Sequence, residues 1–334
     1  MRYLVTGTAG FIGFHVAMRL LDEGHEVIGL DGFTTYYDPI LKERRNSILE
    51  ARHGFRGHRV MLEDMAALER IWADEKIDIA IHLAGQAGVR YSIDNPRAYI
   101  DSNIVGTFNI MELVRRHGVQ HFMLASTSSA YGANTDIPFR ESDRTATPLS
   151  LYAATKAATE QMSHAYSHLW SIPTTAFRFF TVYGPWGRPD MAPYKFTKGI
   201  IEGSPIDIYN FGKMERDFTY IDDLVEGIYR LSQCMPGRGN ATEVAISGLS
   251  PAAPFRIVNI GGGKPTKLLD FIEAIEANVG LKAVRNYMEM QPGDVLVTYA
   301  DAGLLEQLTG FRPSTPLSVG VKAFIQWYRD YHSC

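Results

Sequence analysis

An α/β fold, built on a doubly wound parallel sheet with a smaller α/β C-terminal domain, is predicted by three observations on this chain. Short apolar runs alternate with amphipathic stretches through residue 180, as βαβ units feeding a parallel sheet do. The runs are apolar on both faces, which suits strands covered by helices on either side. At the N-terminus, Tyr3-Leu4-Val5-Thr6 passes straight into Gly7-Thr8-Ala9-Gly10-Phe11-Ile12-Gly13, a strand, a glycine turn and the opening of an apolar helix.

Strands are expected at 3–6, 26–30, 58–61, 77–83, 121–125 and 174–180. Helices are expected between them at 11–23, 65–74, 97–117 and 151–169. After Phe180 the texture turns Gly- and Pro-rich, as in Tyr183-Gly184-Pro185-Trp186-Gly187-Arg188-Pro189, with shorter helices at 191–202 and 268–279. A helix at 222–234 and a strand at 255–261 suggest that the chain returns to its first domain. The division is therefore 1–180 for the first domain, rejoined by parts of 220–262, and 181–334 for most of the second. The small and polar stretch 235–254 reads as a mobile loop.

The 334 residues suffice for two domains, and 46% hydrophobic with 21% charged residues describes a folded chain, not a disordered one. A net charge of -4 with no like-charge block argues against nucleic-acid binding. The 2 cysteines, Cys234 and Cys334, have no metal-ligand spacing, so no metal site is expected, and they fit a reducing cytoplasm. No long apolar run suggests a membrane anchor.

Glycines three apart permit positive φ, let backbone N–H groups approach a pyrophosphate, and let helix and strand pack closely. Placed between a first strand and a first helix, Gly7, Gly10 and Gly13 indicate the Rossmann arrangement. Asp31 ends the second strand, where a carboxylate accepts both ribose hydroxyls of NAD and repels a 2′-phosphate. The expected cofactor is NAD. Asp64-Met65 either borders the adenine or begins a helix with Asp64 as its cap.

Tyr152 and Lys156 stand four apart on an expected helix and share a face. A cation beside a phenol lowers its pKa and makes it a general base. Ser126-Thr127-Ser128-Ser129 follows the fifth strand at its carboxyl end, where an open α/β sheet binds its ligands, so a hydroxyl there can share a proton with substrate and Tyr152.

Asp31 with Tyr36-Tyr37-Asp38, Gln86-Ala87-Gly88-Val89-Arg90-Tyr91-Ser92, Arg178 through Met191, and Gln291-Pro292-Gly293-Asp294-Val295 complete a longer pattern. With them the chain resembles the extended short-chain dehydrogenase/reductase superfamily, its nucleotide-sugar epimerases and dehydratases, and most closely the UDP-glucuronate 4-epimerase family. The resemblance runs from Thr6-Gly7 to Tyr299-Ala300-Asp301. It implies Thr127, Tyr152 and Lys156 as catalytic residues. Around NAD it implies Gly7, Gly10, Phe11, Ile12, Gly13, Asp31, Asp64, Met65, Leu83, Ala84, Asn103 and Ser126, with Tyr152 and Lys156. Arg216 and Asp294 are implied on the diphosphate and uridine ribose. Gln291 replaces a phosphate-binding arginine, a role that passes to Arg90 or another residue. Thr127, Ser128, Ser129, Thr181 and Arg188 would surround the sugar carboxylate. The sequence departs from the family pattern at Gly32, Gly85 and Ala130. A UDP-uronic acid substrate and a homodimer paired through the helices at 97–117 and 151–169 are further implications.

The implied reaction is NAD-dependent epimerisation of UDP-glucuronic to UDP-galacturonic acid through a 4-keto intermediate. The alternatives are UDP-glucuronate decarboxylation, 4-epimerisation of a neutral UDP-hexose and, from another class, a non-catalytic NAD-sensing scaffold. Decarboxylases and dehydratases of the superfamily carry an acidic residue shortly after the catalytic threonine; here Ser128, Ser129 and Ala130 follow. A scaffold would have no need of both Tyr152 and Lys156.

Overall fold

The computed structural model describes residues 1–237, 248–291 and 293–334. Its strands are β1 (Arg2–Thr6), β2 (Glu26–Asp31), β3 (Phe55–Arg59), β4 (Ile79–His82), β5 (His121–Thr127), β6 (Thr174–Phe179), β7 (Thr181–Tyr183), β8 (Pro205–Tyr209), β9 (Glu215–Tyr220), β10 (Phe255–Ile260), β11 (Pro265–Lys267), β12 (Val284–Met288) and β13 (Val297–Thr298). Seven of them form one parallel sheet in the order β10-β6-β5-β4-β1-β2-β3. The order reverses between β1 and β4, and a crevice opens there at the carboxyl ends of the strands.

Alternation along each strand divides the core into two layers. Tyr3 and Val5 of β1 pack with α1 (Phe11–Asp22) and the helix Ile221–Gln233, through Phe14, Leu224 and Ile228. Leu4 faces the other layer, with Leu68 and Trp72 of α3 (Met65–Asp74) and Ile110 of the helix Gly106–His117. A third cluster, including Tyr183, Ile200, Ile208, Phe271 and Phe324, sits among the shorter elements of the second half. There β9 pairs with β7, β11 and β13, and β8 pairs with β12. Buried Asp217 fastens β9 to the segment after β10, accepting the N–H groups of Gly262 and Gly263 at 2.8 and 2.9 Å and that of Ala300 at 3.1 Å.

The helices Pro39–Glu50 and Leu317–His332 arise where none was expected, and two of the expected elements differ in place or continuity. The strand expected at 58–61 is instead Phe55–Arg59, pairing Val27 with Phe55 and Asp31 with Arg59. It is the sheet's edge, so its side chains are mostly polar and exposed, and the apolar run just after it turns inward toward α3. The helix expected over 97–117 is broken into the turn Pro96–Tyr99, a widened π segment Ile100–Val105 and the helix Gly106–His117. Within the π segment Asn103 turns inward, a deviation that recurs at functional sites. The loop expected at 235–254 contains residues 238–247, which lie outside the described residues.

Candidate active site

The glycine turn is built by close approach. Gly7 has φ +79°, and a Cβ on Gly13 would stand 2.1 Å from the Gly7 carbonyl oxygen. Only glycine lets the first turn of α1 come this near the strand end. Gly10 caps α1 without a side-chain bond, so the first N–H groups of that helix face the cavity beyond. At the end of β2, Asp31 accepts the Ala9 and Phe33 N–H groups at 3.0 and 2.7 Å. Burial raises its pKa, while these bonds and the Lys42 and Arg45 charges oppose the rise. Its remaining lone pairs face the same cavity, so the cradle and carboxylate fit a dinucleotide.

The floor between β1 and β4 is set by one hydroxyl. Thr6 Oγ1 accepts from the Leu83 and Ala84 N–H groups at 3.0 and 2.9 Å and lies 2.8 Å from His82 Nδ1. With its acceptor sites used, the hydroxyl donates to Nδ1, and His82 donates from Nε2 to Thr107 at 3.0 Å. Burial lowers His82 to about 3, so it is a neutral strut in the strand and not a proton carrier.

A cavity of about 720 Å³ joins the glycine turn to the ends of β5 and β7. Gly7, Gly10, Phe11, Ile12, Gly13, Asp31, Leu83 and Ala84 line its cofactor end. Ser126, Thr127, Ser128, Ser129, Tyr152, Lys156, Thr181 and Arg188 also line it. Ser150 caps the helix Leu151–Trp170 through the Ala153 N–H at 3.1 Å, setting the phase that turns Tyr152 and Lys156 inward.

Burial pushes the Tyr152 phenol up, opposed by its hydrogen bond with Thr127 and by the Arg188 charge. The Lys156 ammonium donates to the Ala125 carbonyl at 3.0 Å, and burial lowers it to about 8 against the pull of Glu160. The Arg188 charge thus opposes the rise of the phenol, which burial still carries upward. Arg188 is half-buried and forms a bidentate pair with Asp190, which also accepts the Tyr36 hydroxyl at 3.0 Å.

Behind the hydroxyl run, Glu160 receives Arg178 in two bonds of 2.9 and 2.7 Å and the hydroxyl of Ser126. The Arg178 guanidinium lies 4.5 Å from the centre of the Tyr131 ring, and Tyr131 donates to Asn259 at 2.6 Å. This buried network ties β5, β6, β10 and the helix Leu151–Trp170 together directly beneath Thr127.

Other expected site residues lie elsewhere. Asp64 is exposed and caps α3 through the Ala67 N–H at 3.0 Å; it and Met65 do not line the cavity, whereas Leu62 and Glu63 do. Asn103 is also absent from the lining, because its amide is spent on Gln86 and Thr155, at 2.8, 3.0 and 3.1 Å. A Cβ on Gly85 would meet Asn103 Oδ1 at 2.8 Å, a reason for glycine there. Arg90, Arg216 and Asp294 lie outside the lining too. Arg90 pairs with Asp294 at 3.2 Å and lies over the Tyr209 ring at 4.4 Å, and Arg216 donates to the Leu296 carbonyl at 3.1 Å. Lys42 and Tyr36 line the cavity. Lys42 went unrecognised in the sequence because α2 (Pro39–Glu50) has too weak an apolar stripe to reveal which way it faces.

Residues 3–243 match the model of the NAD dependent epimerase/dehydratase family. A probable UDP-glucuronate 4-epimerase of Rhizobium meliloti (strain 1021) is 58% identical over 98% of this chain and 97% of its own. UDP-glucuronate 4-epimerase 1 of Arabidopsis thaliana is 43% identical over 98% of this chain and 77% of its own. The UDP-glucuronic acid 4-epimerase of Bacillus cereus, solved in complex with UDP-glucuronic acid and NAD, superposes with a TM-score of 0.86 at 32% identity, covering 99% of this chain and 100% of that one.

Proposed function

This chain belongs to the NAD dependent epimerase/dehydratase family, and from that premise we infer that it interconverts UDP-glucuronic and UDP-galacturonic acids at C4. It is an NAD-dependent isomerase. NAD, when bound along the glycine turn with its ribose at Asp31, supplies a reversible acceptor for the C4 hydride. As a phenolate, Tyr152 takes the proton of the sugar 4-hydroxyl, and Thr127 beside it shares it. The Lys156 and Arg188 cations and the positive charge of oxidised nicotinamide would favour that form over the neutral phenol that burial alone prefers. Lys156 holds an ammonium under the site through Ala125. The 4-ketone then turns its other face, takes the hydride back at C4 from that side, and regains its oxygen-bound proton from Tyr152.

The observation that carries epimerisation over decarboxylation is the hydroxyl run. A 4-keto uronate is a β-keto acid and loses carbon dioxide once its C5–carboxylate bond aligns with the carbonyl π system. Thr127, Ser128, Ser129 and Thr181, with the Arg188 charge, would pin the carboxylate near the carbonyl plane. Ser128, Ser129 and Ala130 offer no acid to protonate a C5 enolate. Incubation with UDP-glucuronate, UDP-glucose and UDP-N-acetylglucosamine, read by NMR of the sugar protons, tests this. UDP-galacturonate alone, without added NAD, is expected; a UDP-pentose, or faster turnover of a neutral sugar, would overturn it.

Arg90 of the first half, its ion-pair partner Asp294, and Arg216, whose charge Asp294 also meets, are the proposed uridine diphosphate contacts. The division into a cofactor domain, 1–180 with parts of 220–262, and a sugar-nucleotide domain, mainly 181–334, follows the same reading. Phe108, Leu169 and Trp170 are exposed on the helices Gly106–His117 and Leu151–Trp170 and support a homodimer, which light scattering would test. Among the described residues no helix is long and apolar enough to cross a membrane, which accords with the proposed cytoplasmic location.

A further inference from the structure

Arg45 is fully buried, and no carboxylate lies within ion-pair distance of it among the described residues. A guanidinium is costly to bury unless its donors are used and its charge is answered. Its donors reach three separate segments: the Ala9 carbonyl of the glycine turn at 2.8 Å, the Tyr37 hydroxyl at 2.9 Å, and the Trp186 carbonyl. Nε is left without a partner. Burial lowers its pKa, with Tyr37 and Asp31 opposing.

The Trp186 end of this link bears on the sugar. Trp186 has φ +61°, a left-handed conformation that so bulky a residue keeps only under restraint from its surroundings. Two residues later comes Arg188, which lines the cavity. The neighbouring Pro185 carbonyl lies 3.0 Å from His15 on α1, a histidine lowered to about 4 chiefly by burial and also by the Arg45 charge. The 184–191 loop is thus held by the cofactor half at Pro185, Trp186 and, through Tyr36, Asp190.

We propose that Arg45 is a positioning residue that couples the glycine turn to the 184–191 loop, so that filling the dinucleotide site orders the loop carrying Arg188. Anion at the glycine turn answers the buried charge and fixes the Ala9 carbonyl; the same guanidinium then holds Trp186 in its strained conformation. The proposal rests on NAD occupying the glycine turn, and on no assumption about the sugar.

Hydrogen exchange followed by mass spectrometry, with NAD-free and NAD-loaded protein and no sugar nucleotide, tests it. In the parent, NAD should slow exchange both at 7–13 and at 184–191, the latter by about fivefold or more. In Arg45→Met and Arg45→Lys, protection at 7–13 should survive while protection at 184–191 falls below about twofold. Tyr37→Phe, which removes one acceptor and keeps the cation, should give an intermediate value and keeps the test open if Arg45→Met does not fold. Protection of 184–191 that persists in Arg45→Lys, or that is missing from the NAD-loaded parent, overturns the coupling. Failure of the parent to bind NAD would instead overturn the cofactor reading.

Discussion

Replacing Lys156 by methionine should stabilise the NAD-free protein at neutral pH while abolishing turnover. Burial moves the ammonium from an ordinary 10.5 to about 8. That difference corresponds to about 3 kcal/mol against the charged form in the folded state. Losing the bond to the Ala125 carbonyl returns about 1 kcal/mol, leaving a net gain of about 2 kcal/mol for the variant. Below pH 8 folded and unfolded chains both hold the proton, so the full penalty applies to the parent. Between pH 8 and 10.5 the folded chain has released the proton and the unfolded chain has not, so the parent gains stability; above that range neither holds it. The assay is urea unfolding of parent and variant at pH 7 and at several values up to 10.5, the difference between them cancelling tyrosine titration common to both. A variant less stable than the parent at pH 7, or a gap that does not change over this range, would refute the reasoning.

Tyr152→Phe should lower kcat by about two orders of magnitude or more with a modest change in KM, since it deletes a proton acceptor used in the transition state; near-normal turnover would sink the assignment. Glu160→Gln should destabilise the fold by about 3 kcal/mol, because it leaves Arg178 buried against a neutral acceptor, and Arg178→Met in the same chain should recover part of that loss. Additive losses in a thermal-unfolding cycle would show that the two do not act as a pair. Asp31→Ser removes the carboxylate and leaves Lys42 beside the ribose position, so calorimetric titration should show NADP approaching NAD in affinity; unchanged discrimination would place selectivity elsewhere. Thr181→Asn, or Ser128→Ala with Ser129→Ala, should slow epimerisation and raise carbon dioxide released per turnover. Slower variants that release no more carbon dioxide than the parent would leave these hydroxyls a binding role alone.

Features fixed by neighbours in the chain were legible in the sequence. The strand, glycine turn and helix at residues 2–22 are one local unit whose spacing carries its own geometry. Tyr152 and Lys156 share a helix face because four residues make about one turn. The hydroxyl run after β5 was readable for the same reason, since a strand's carboxyl end faces the crevice of an open sheet. What tertiary structure alone decided depends on residues far apart in sequence. The pairing of β2 with β3 shifted the edge strand to Phe55–Arg59, although its few apolar side chains gave no periodic signal. Asn103 interrupts its helix because its amide must reach Gln86 and Thr155. Lys156 donates to the Ala125 carbonyl, and Arg188, thirty-two positions on, comes near enough to oppose the rise of the Tyr152 phenol, a placement of charge that no spacing along one helix specifies. Arg45 reads as one more polar residue on a helix with little apolar stripe; only the folded chain brings Ala9, Tyr37 and Trp186 to its guanidinium, because buried donors take whichever acceptors the packing supplies.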